Sequence, residues 1–236
     1  MFKTTYETRY GDYKDFDTIK VSSILDMIQD VSTKNSTACG FGMNKLREMN
    51  VAWLLKGITI KIDKPVKTGC PVDVKTAIKP FKGATSLRGC IVEQNGEVVA
   101  KTIAEWFIFD TIKKRPCRIP EEITKAYEIH DFEDDFFNYI KPSVRSIETP
   151  EYTIRICNKE IDTNMHLNNT KSAELLMDAL PFDYSFTTAT ILYKKPAYLG
   201  DELEVCVEKT EKGYYVHLQT KDKDVCVVGE FEQDTV

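Results

Sequence analysis

Asp162, Asn164 and His166 set a carboxylate, an amide and an imidazole at alternate positions of Asp-Thr-Asn-Met-His-Leu-Asn-Asn, residues 162–169. In an extended chain, side chains two apart project to the same side. The spacing therefore predicts three polar groups facing one small volume. An amphipathic helix pattern follows at once, and a helix start offers unpaired N–H donors and a positive dipole end. Such a set suits polarising a carbonyl and directing water at it. Asp162 could act as general base for that water or attack directly, and the water route is favoured. Asn164 could orient the water or the carboxylate, and His166 could share the proton or stabilise charge. Asn168 reads as the cap of the helix, and the N–H groups near Asn169 as the place for an oxyanion. Both asparagines are thus candidate substrate-binding residues.

Other reactive residue types look structural. Glu174 lies within the same helix pattern, but Leu175, Leu176 and Ala179 mark its apolar side, so Glu174 is expected in solvent or at an interface. Cys157 and Cys206 read as buried strand residues, and neither has a histidine beside it in sequence. His130 falls in a linker and His217 in a strand pattern.

Composition narrows the class of protein. The chain has 236 residues, 42% of them hydrophobic and 29% charged, as ordinary globular proteins do. It lacks a run of eighteen apolar residues, so no membrane-spanning helix is expected, and the first residues enter a strand-like alternation with no apolar leader pattern. The seven cysteines are scattered, without a Cys-x-x-Cys pair, which points to a reduced, cytoplasmic protein with no zinc site. The net charge of −5 is divided unevenly: residues 1–118 carry 20 basic and 13 acidic residues, and residues 119–236 carry 12 and 24. An acidic partner would meet the first half, whereas the overall sign and the absence of basic-aromatic clusters exclude sustained nucleic-acid binding.

The chain also repeats itself. Lys64-Pro65-Val66-Lys67-Thr68-Gly69 reappears as Lys195-Pro196-Ala197-Tyr198-Leu199-Gly200, an offset of 131. Asp17-Thr18 and Asp162-Thr163 precede the two helix patterns at an offset of 145. In the first copy Ser22 or Ser23 is the expected cap of a helix ending at Cys39-Gly40, followed by a short turn from Met43 to Met49. Strands are expected over residues 51–61, 72–79, 84–93 and 98–110, with Asn95-Gly96 as a hairpin turn. The second copy predicts a strand over 152–157, a helix over 169–180, and strands over 188–193, 202–209, 214–221 and 225–232. One helix per copy, followed by a meander of antiparallel strands, suggests a sheet wrapped around a central helix. Two such sheets joined edge to edge would hide their unpaired edges. The expected division is 1–120 and 148–236 for the two units, with 121–147 a linker whose acidic-aromatic run, residues 131–137, packs back on the body.

These features resemble the hotdog-fold thioesterases, and more closely the acyl-acyl-carrier-protein thioesterases built from two fused hotdog units. The resemblance rests on Tyr6 to Tyr10, on Asn50-Val51-Ala52-Trp53, on Ile119-Pro120-Glu121-Glu122-Ile123, and above all on residues 162–169. The family motif is Asp-x-Asn-x-His-Val-Asn-Asn, matched here except for Leu167. The fold it implies is α+β: two tandem hotdog units, each an antiparallel sheet around a central helix, joined into one continuous sheet. The implied activity is hydrolysis of an acyl chain from the phosphopantetheine thiol of its carrier protein, with no metal or cofactor and with Asp162, Asn164 and His166 as the catalytic network. Plant members carry a Glu-Cys pair after a basic dipeptide, where this chain has Pro196-Ala197 after Lys194-Lys195, so three residues are carried over and not four. The matching Pro65 in the first copy suggests that this proline marks a strand start.

Because Asp17-Thr18 in the first copy has no neighbouring Asn or His, one active site per chain is expected, with the first unit housing the acyl tail. Met27, Val31, Phe41 and Trp53 are candidate walls of that apolar space. Lys113, Lys114, Arg115 and Arg118 form the densest basic cluster, a candidate dock for an acidic carrier protein. A fused pair could stand as a monomer or form homodimers. Two other readings compete with the leading one: an acyl-coenzyme A thioesterase, and a non-catalytic module that binds acyl thioesters.

Overall fold

The computed structural model describes residues 1–130, 137, 139 and 141–233. The chain divides into two units, residues 1–56 with 62–139 and residues 57–61 with 140–236.

The first unit contains β1 (Phe2–Tyr6), α1 (Val21–Ala38), α2 (Met43–Glu48), β2 (Val51–Ile62), β3 (Val72–Ile78), β4 (Thr85–Gln94), β5 (Glu97–Asp110), the short β6 (Arg115–Pro116) and α3 (Glu121–Ala126). Its strands are ordered β1-β3-β4-β5-β2, with β6 beside β5. Asn95 and Gly96 turn the chain between β4 and β5, both in the left-handed region at φ 55° and 81°, the conformation of a tight two-residue hairpin. Apolar residues of α1 at near-helical spacing, including Ile24, Met27, Ile28 and Val31, are buried.

The cap of α1 differs from expectation. The helix starts at Val21 and its N-cap is Lys20, which makes no side-chain capping bond. Ser22 and Ser23 lie inside the first turn and are buried. What fixes the entry is backbone bonding, with the Lys20 N–H donating to the Asp12 carbonyl at 2.8 Å.

The second unit holds β7 (Tyr152–Arg155), α4 (Asn169–Asp178), β8 (Thr188–Tyr193), β9 (Glu202–Lys209), β10 (Gly213–Gln219) and β11 (Val225–Glu232). Its order, β8-β11-β10-β9-β7, repeats that of the first unit strand for strand. Residues 57–61 of β2 belong to this unit and pair antiparallel with β8, Thr59 opposite Thr190.

The boundary of the first unit lies beyond residue 120. Ile123 and Tyr127 are buried in one cluster with Phe41, Leu46, Val51, Ile78, Ile108 and Ile119, which makes α3 part of this unit's core and not of a linker. Phe137 and Tyr139 pack against Ala77 and Ile103. The rest of the acidic-aromatic run, residues 131–136, lies outside the described residues.

Candidate active site

Residues 161–168 form a closed turn, not an extended stretch. Ile161 and Leu167 make an antiparallel bridge, and the Asp162 N–H donates to the His166 carbonyl at 2.8 Å. The corner is Met165, in the left-handed region at φ 64°. Inside the turn the Asp162 carboxylate gathers the donors. Its Oδ1 accepts from the Asn164 N–H at 2.8 Å and the His166 N–H at 3.2 Å, and its Oδ2 accepts from the Asn164 amide at 3.3 Å. Alternation along an extended chain therefore does not explain the juxtaposition; a carboxylate bonding its own downstream backbone does.

The structure brings Asp162 and Asn164 together by their side chains and attaches His166 through its backbone. The His166 ring packs edge-on against Tyr198, with centroids 5.1 Å apart and planes at 76°. Among the described residues no hydrogen bond or ion pair joins that ring to the Asp162 carboxylate. Asp162 and His166 are half-buried, and Asn164 is exposed.

The turn is clamped at its far end. The Leu167 N–H donates to the Ala197 carbonyl at 2.8 Å and the Asn168 N–H to the Glu160 carbonyl at 2.8 Å. Asn168 is the N-cap of α4, its Oδ1 accepting from the Thr170 N–H and hydroxyl, each at 2.8 Å. One helix-start donor is thereby consumed by the cap. The Tyr193 hydroxyl donates to the Asn169 carbonyl at 2.9 Å, tying the first turn of α4 to β8. Glu174 is half-buried and paired with Lys171 at 2.5 Å.

Pro196 sits in the loop between β8 and β9 and Pro65 in the loop between β2 and β3, so neither begins a strand. What this stretch supplies is the buried Ala197, whose carbonyl holds the motif.

The first unit contains the same turn at a spacing of 148 residues. Tyr13 bridges Ile19 as Ile161 bridges Leu167, the Lys14 N–H donates to Thr18 as that of Asp162 does to His166, and Ile19 donates to Val66 as Leu167 does to Ala197. This corrects the offset of 145: the counterparts of Asp162, Asn164 and His166 are Lys14, Phe16 and Thr18. Asp15, one place further on, supplies the carboxylate, accepting from the Asp17 N–H at 2.9 Å and the Thr18 N–H at 2.7 Å.

Of the candidate wall residues, Met27, Val31 and Phe41 are buried and Trp53 is half-buried. Phe41 and Trp53 share one cluster, where Trp53 stacks on Phe81 at 6.5 Å. Their neighbourhood is less apolar than the sequence suggests. Arg88 of β4 is buried there, its guanidinium donating to Asn35 Oδ1 at 2.9 Å and Thr76 Oγ1 at 3.1 Å, with the Tyr127 ring 5.9 Å away. Burial lowers the pKa of this guanidinium.

Lys113, Lys114, Arg115 and Arg118 are all exposed, on the turn from β5 into β6 and just beyond it. Asp110 shapes the turn, accepting from the N–H groups of Ile112 at 3.0 Å and Lys113 at 2.8 Å.

Two cysteine expectations part company. Cys206 is fully buried, directly opposite His217 in the β9–β10 register. Cys157 is exposed, because β7 ends at Arg155 and Cys157 caps a short 3-10 turn.

Comparison with known proteins matches two family models in tandem: the acyl-ACP thioesterase N-terminal domain over residues 1–127 and the acyl-ACP thioesterase C-terminal domain over residues 142–233. The chain belongs to the acyl-ACP thioesterase family. Among curated relatives, the chloroplastic acyl-[acyl-carrier-protein] hydrolase FATB2 of Cuphea viscosissima is 20% identical over 234 residues, covering 91% of this chain and 57% of that protein. The chloroplastic palmitoyl-acyl carrier protein thioesterase of Gossypium hirsutum is 18% identical, covering 83% of this chain and 52% of its own length. The chain thus spans about half the length of the curated relatives it matches. Among solved structures, an acyl-ACP thioesterase from Bacteroides thetaiotaomicron superposes with a TM-score of 0.86 at 17% identity, covering 98% of this chain and 96% of that one. The 12:0-ACP thioesterase from Umbellularia californica gives 0.84 at 16% identity, with 98% and 96% covered. Both likenesses establish the double hotdog fold.

Proposed function

We propose that this protein hydrolyses acyl-acyl-carrier-protein thioesters and releases free fatty acids, the step that terminates fatty acid synthesis. The observation that carries this reading is the Asp162 turn at the head of α4, in a chain of the acyl-ACP thioesterase family. Asp162 Oδ1 is occupied by two backbone N–H groups, while Oδ2 has the longer bond from Asn164. The longer bond supports assigning Oδ2 as the oxygen that takes a proton from water.

In this reading water adds to the thioester carbonyl carbon and its proton passes to Asp162. The oxyanion of the tetrahedral intermediate is stabilised at the start of α4. Collapse breaks the C–S bond, the departing thiolate takes a proton from His166, and the proton held by Asp162 passes by way of water to His166, restoring both groups. Asn164 holds the carboxylate in place. The first unit, with Lys14, Phe16 and Thr18 at the matching positions, carries no such set and houses the acyl tail near Met27, Val31, Phe41 and Trp53. The exposed basic turn at Lys113, Lys114, Arg115 and Arg118 receives the acidic carrier protein. Seven free thiols suit a reducing, cytoplasmic setting.

The test compares hydrolysis of one acyl chain on acyl carrier protein and on coenzyme A. Faster turnover of the carrier-protein ester is expected; much faster turnover of the coenzyme A ester overturns the carrier assignment. Free fatty acids accumulating in an expressing bacterial host would identify the chain length released.

A further inference from the structure

We infer that Tyr198 is the positioning residue for the His166 imidazole, acting through its ring and not its hydroxyl. This rests on the proposed role of His166 in thioester hydrolysis.

The turn leaves His166 with an unusual set of restraints. Its backbone is fixed twice, by the carbonyl bond to Asp162 N–H at 2.8 Å and the N–H bond to Asp162 Oδ1 at 3.2 Å. The Asp162 carboxylate is engaged by the backbone and by Asn164, and no bond from it reaches the imidazole among the described residues. Something else must hold the ring against rotation about its side-chain bonds. The contact that does so is the edge-on meeting with Tyr198 at 5.1 Å and 76°, a favourable geometry for two aromatic rings.

Tyr198 is itself delivered with little freedom. Ala197, the residue before it, is buried and its carbonyl accepts the Leu167 N–H of the motif turn at 2.8 Å. On the other side the Tyr198 N–H donates to Asp201 Oδ2 at 2.8 Å, and the Asp201 N–H donates back to the Tyr198 carbonyl at 3.1 Å. Gly200, at φ 89°, permits this tight return and donates to the Ile156 carbonyl at 2.9 Å. The loop is therefore laced to the motif turn on one flank and to the end of β7 on the other. Tyr198 is 49% exposed, so its ring is not part of the core.

The experiment uses the full chain, Tyr198→Leu and Tyr198→Phe, each also combined with His166→Ala, measured by steady-state and single-turnover hydrolysis of one acyl-acyl-carrier-protein. Tyr198→Leu is expected to lower kcat about 3- to 10-fold with KM changed less than about twofold, the scale of one lost aromatic contact. Tyr198→Phe should restore kcat to within about twofold of the parent. In the His166→Ala background neither change should lower the residual rate further, since the two residues act as one unit. Tyr198→Met supplies a second non-aromatic side chain should leucine lower the melting temperature. An unchanged kcat in Tyr198→Leu overturns the inference, as does an equal loss in the His166→Ala background. A Phe variant as slow as Leu assigns the role to the hydroxyl and overturns it too. Full activity of His166→Ala alone sinks the site reading itself, a separate and recognisable result.

Discussion

Asp162 and His166 are bonded to each other twice through the backbone: the Asp162 N–H donates to the His166 carbonyl, and the His166 N–H donates to the Asp162 carboxylate. The proposed base therefore also holds the turn that carries the proposed acid. Removing its charge while keeping an acceptor oxygen separates the two jobs. Asp162→Asn should lower kcat about 100-fold or more, the scale of a lost general base. Its melting temperature should stay close to that of the parent. Single-turnover hydrolysis alongside a thermal melt checks both halves; a large loss of stability without loss of rate would contradict the assignment.

The exposed basic turn makes an electrostatic prediction. Lys113→Glu combined with Lys114→Glu should reduce kcat/KM for the carrier-protein substrate about tenfold at low salt. The deficit should shrink as ionic strength rises and the charges are screened. A salt-independent loss would place the carrier elsewhere.

Asn168 caps α4 through two bonds from Thr170. Asn168→Ala should cost about 1 kcal/mol in urea-unfolding stability. Because that cap also sets the direction of the first helical turn, the rate should fall with it. Unchanged stability would mean that the Ala197 and Glu160 carbonyls alone fix this entry.

Gly213 opens β10 where a Cβ would overlap the Phe231 carbonyl oxygen and the Tyr184 hydroxyl. Backbone on one side leaves little to relax. Gly213→Ala should destabilise the protein by about 2 kcal/mol or more, read from the urea midpoint. A neutral result would show that β10 and β11 slide more freely than their register implies.

His217 gives a pH dependence. Its ring is fully buried, with Nδ1 lacking a partner among the described residues, and burial lowers its pKa from the ordinary 6.5 despite the bond to Gln219. Below 6.5 the unfolded chain takes up a proton that the folded ring refuses. The contribution is thus complete above that pH and lost as pH falls through the lowered folded value. Urea midpoints at pH 7 and pH 5 should diverge less in His217→Leu than in the parent. Equal divergence would show that His217 does not carry the acid sensitivity.

Much of the fold was legible because its signals are local. Asn95-Gly96 does turn β4 into β5, and Cys39-Gly40 ends α1, with Gly40 at φ 86°. Period and punctuation suffice for such elements. Residue types alone present 162–166 as extended, whereas its shape comes from a carboxylate bonding its own backbone and from Met165 turning left-handed. The offset of 145 followed a repeated Asp-Thr pair, whereas the backbone aligns at 148, with Lys14 and not Asp17 opposite Asp162. The serine cap failed because Lys20 is tied down by the Asp12 carbonyl, a bond that residue types do not announce. Tyr198 was invisible for the same reason: 32 residues separate it from His166, and the Leu167–Ala197 backbone bond joins their loops.

The turn in the first unit has Lys14, Phe16 and Thr18 in place of the proposed trio yet still uses an acid, Asp15, to pin its amides. An acidic side chain in this corner has a geometric role even without an asparagine and a histidine at the alternate positions. Asp162→Ala would therefore unpin the corner and delete the proposed base together, and its inactivity would say nothing about chemistry. Amide isosteres become the informative probes, and grafting aspartate, asparagine and histidine onto positions 14, 16 and 18 would start from a corner already shaped to receive them.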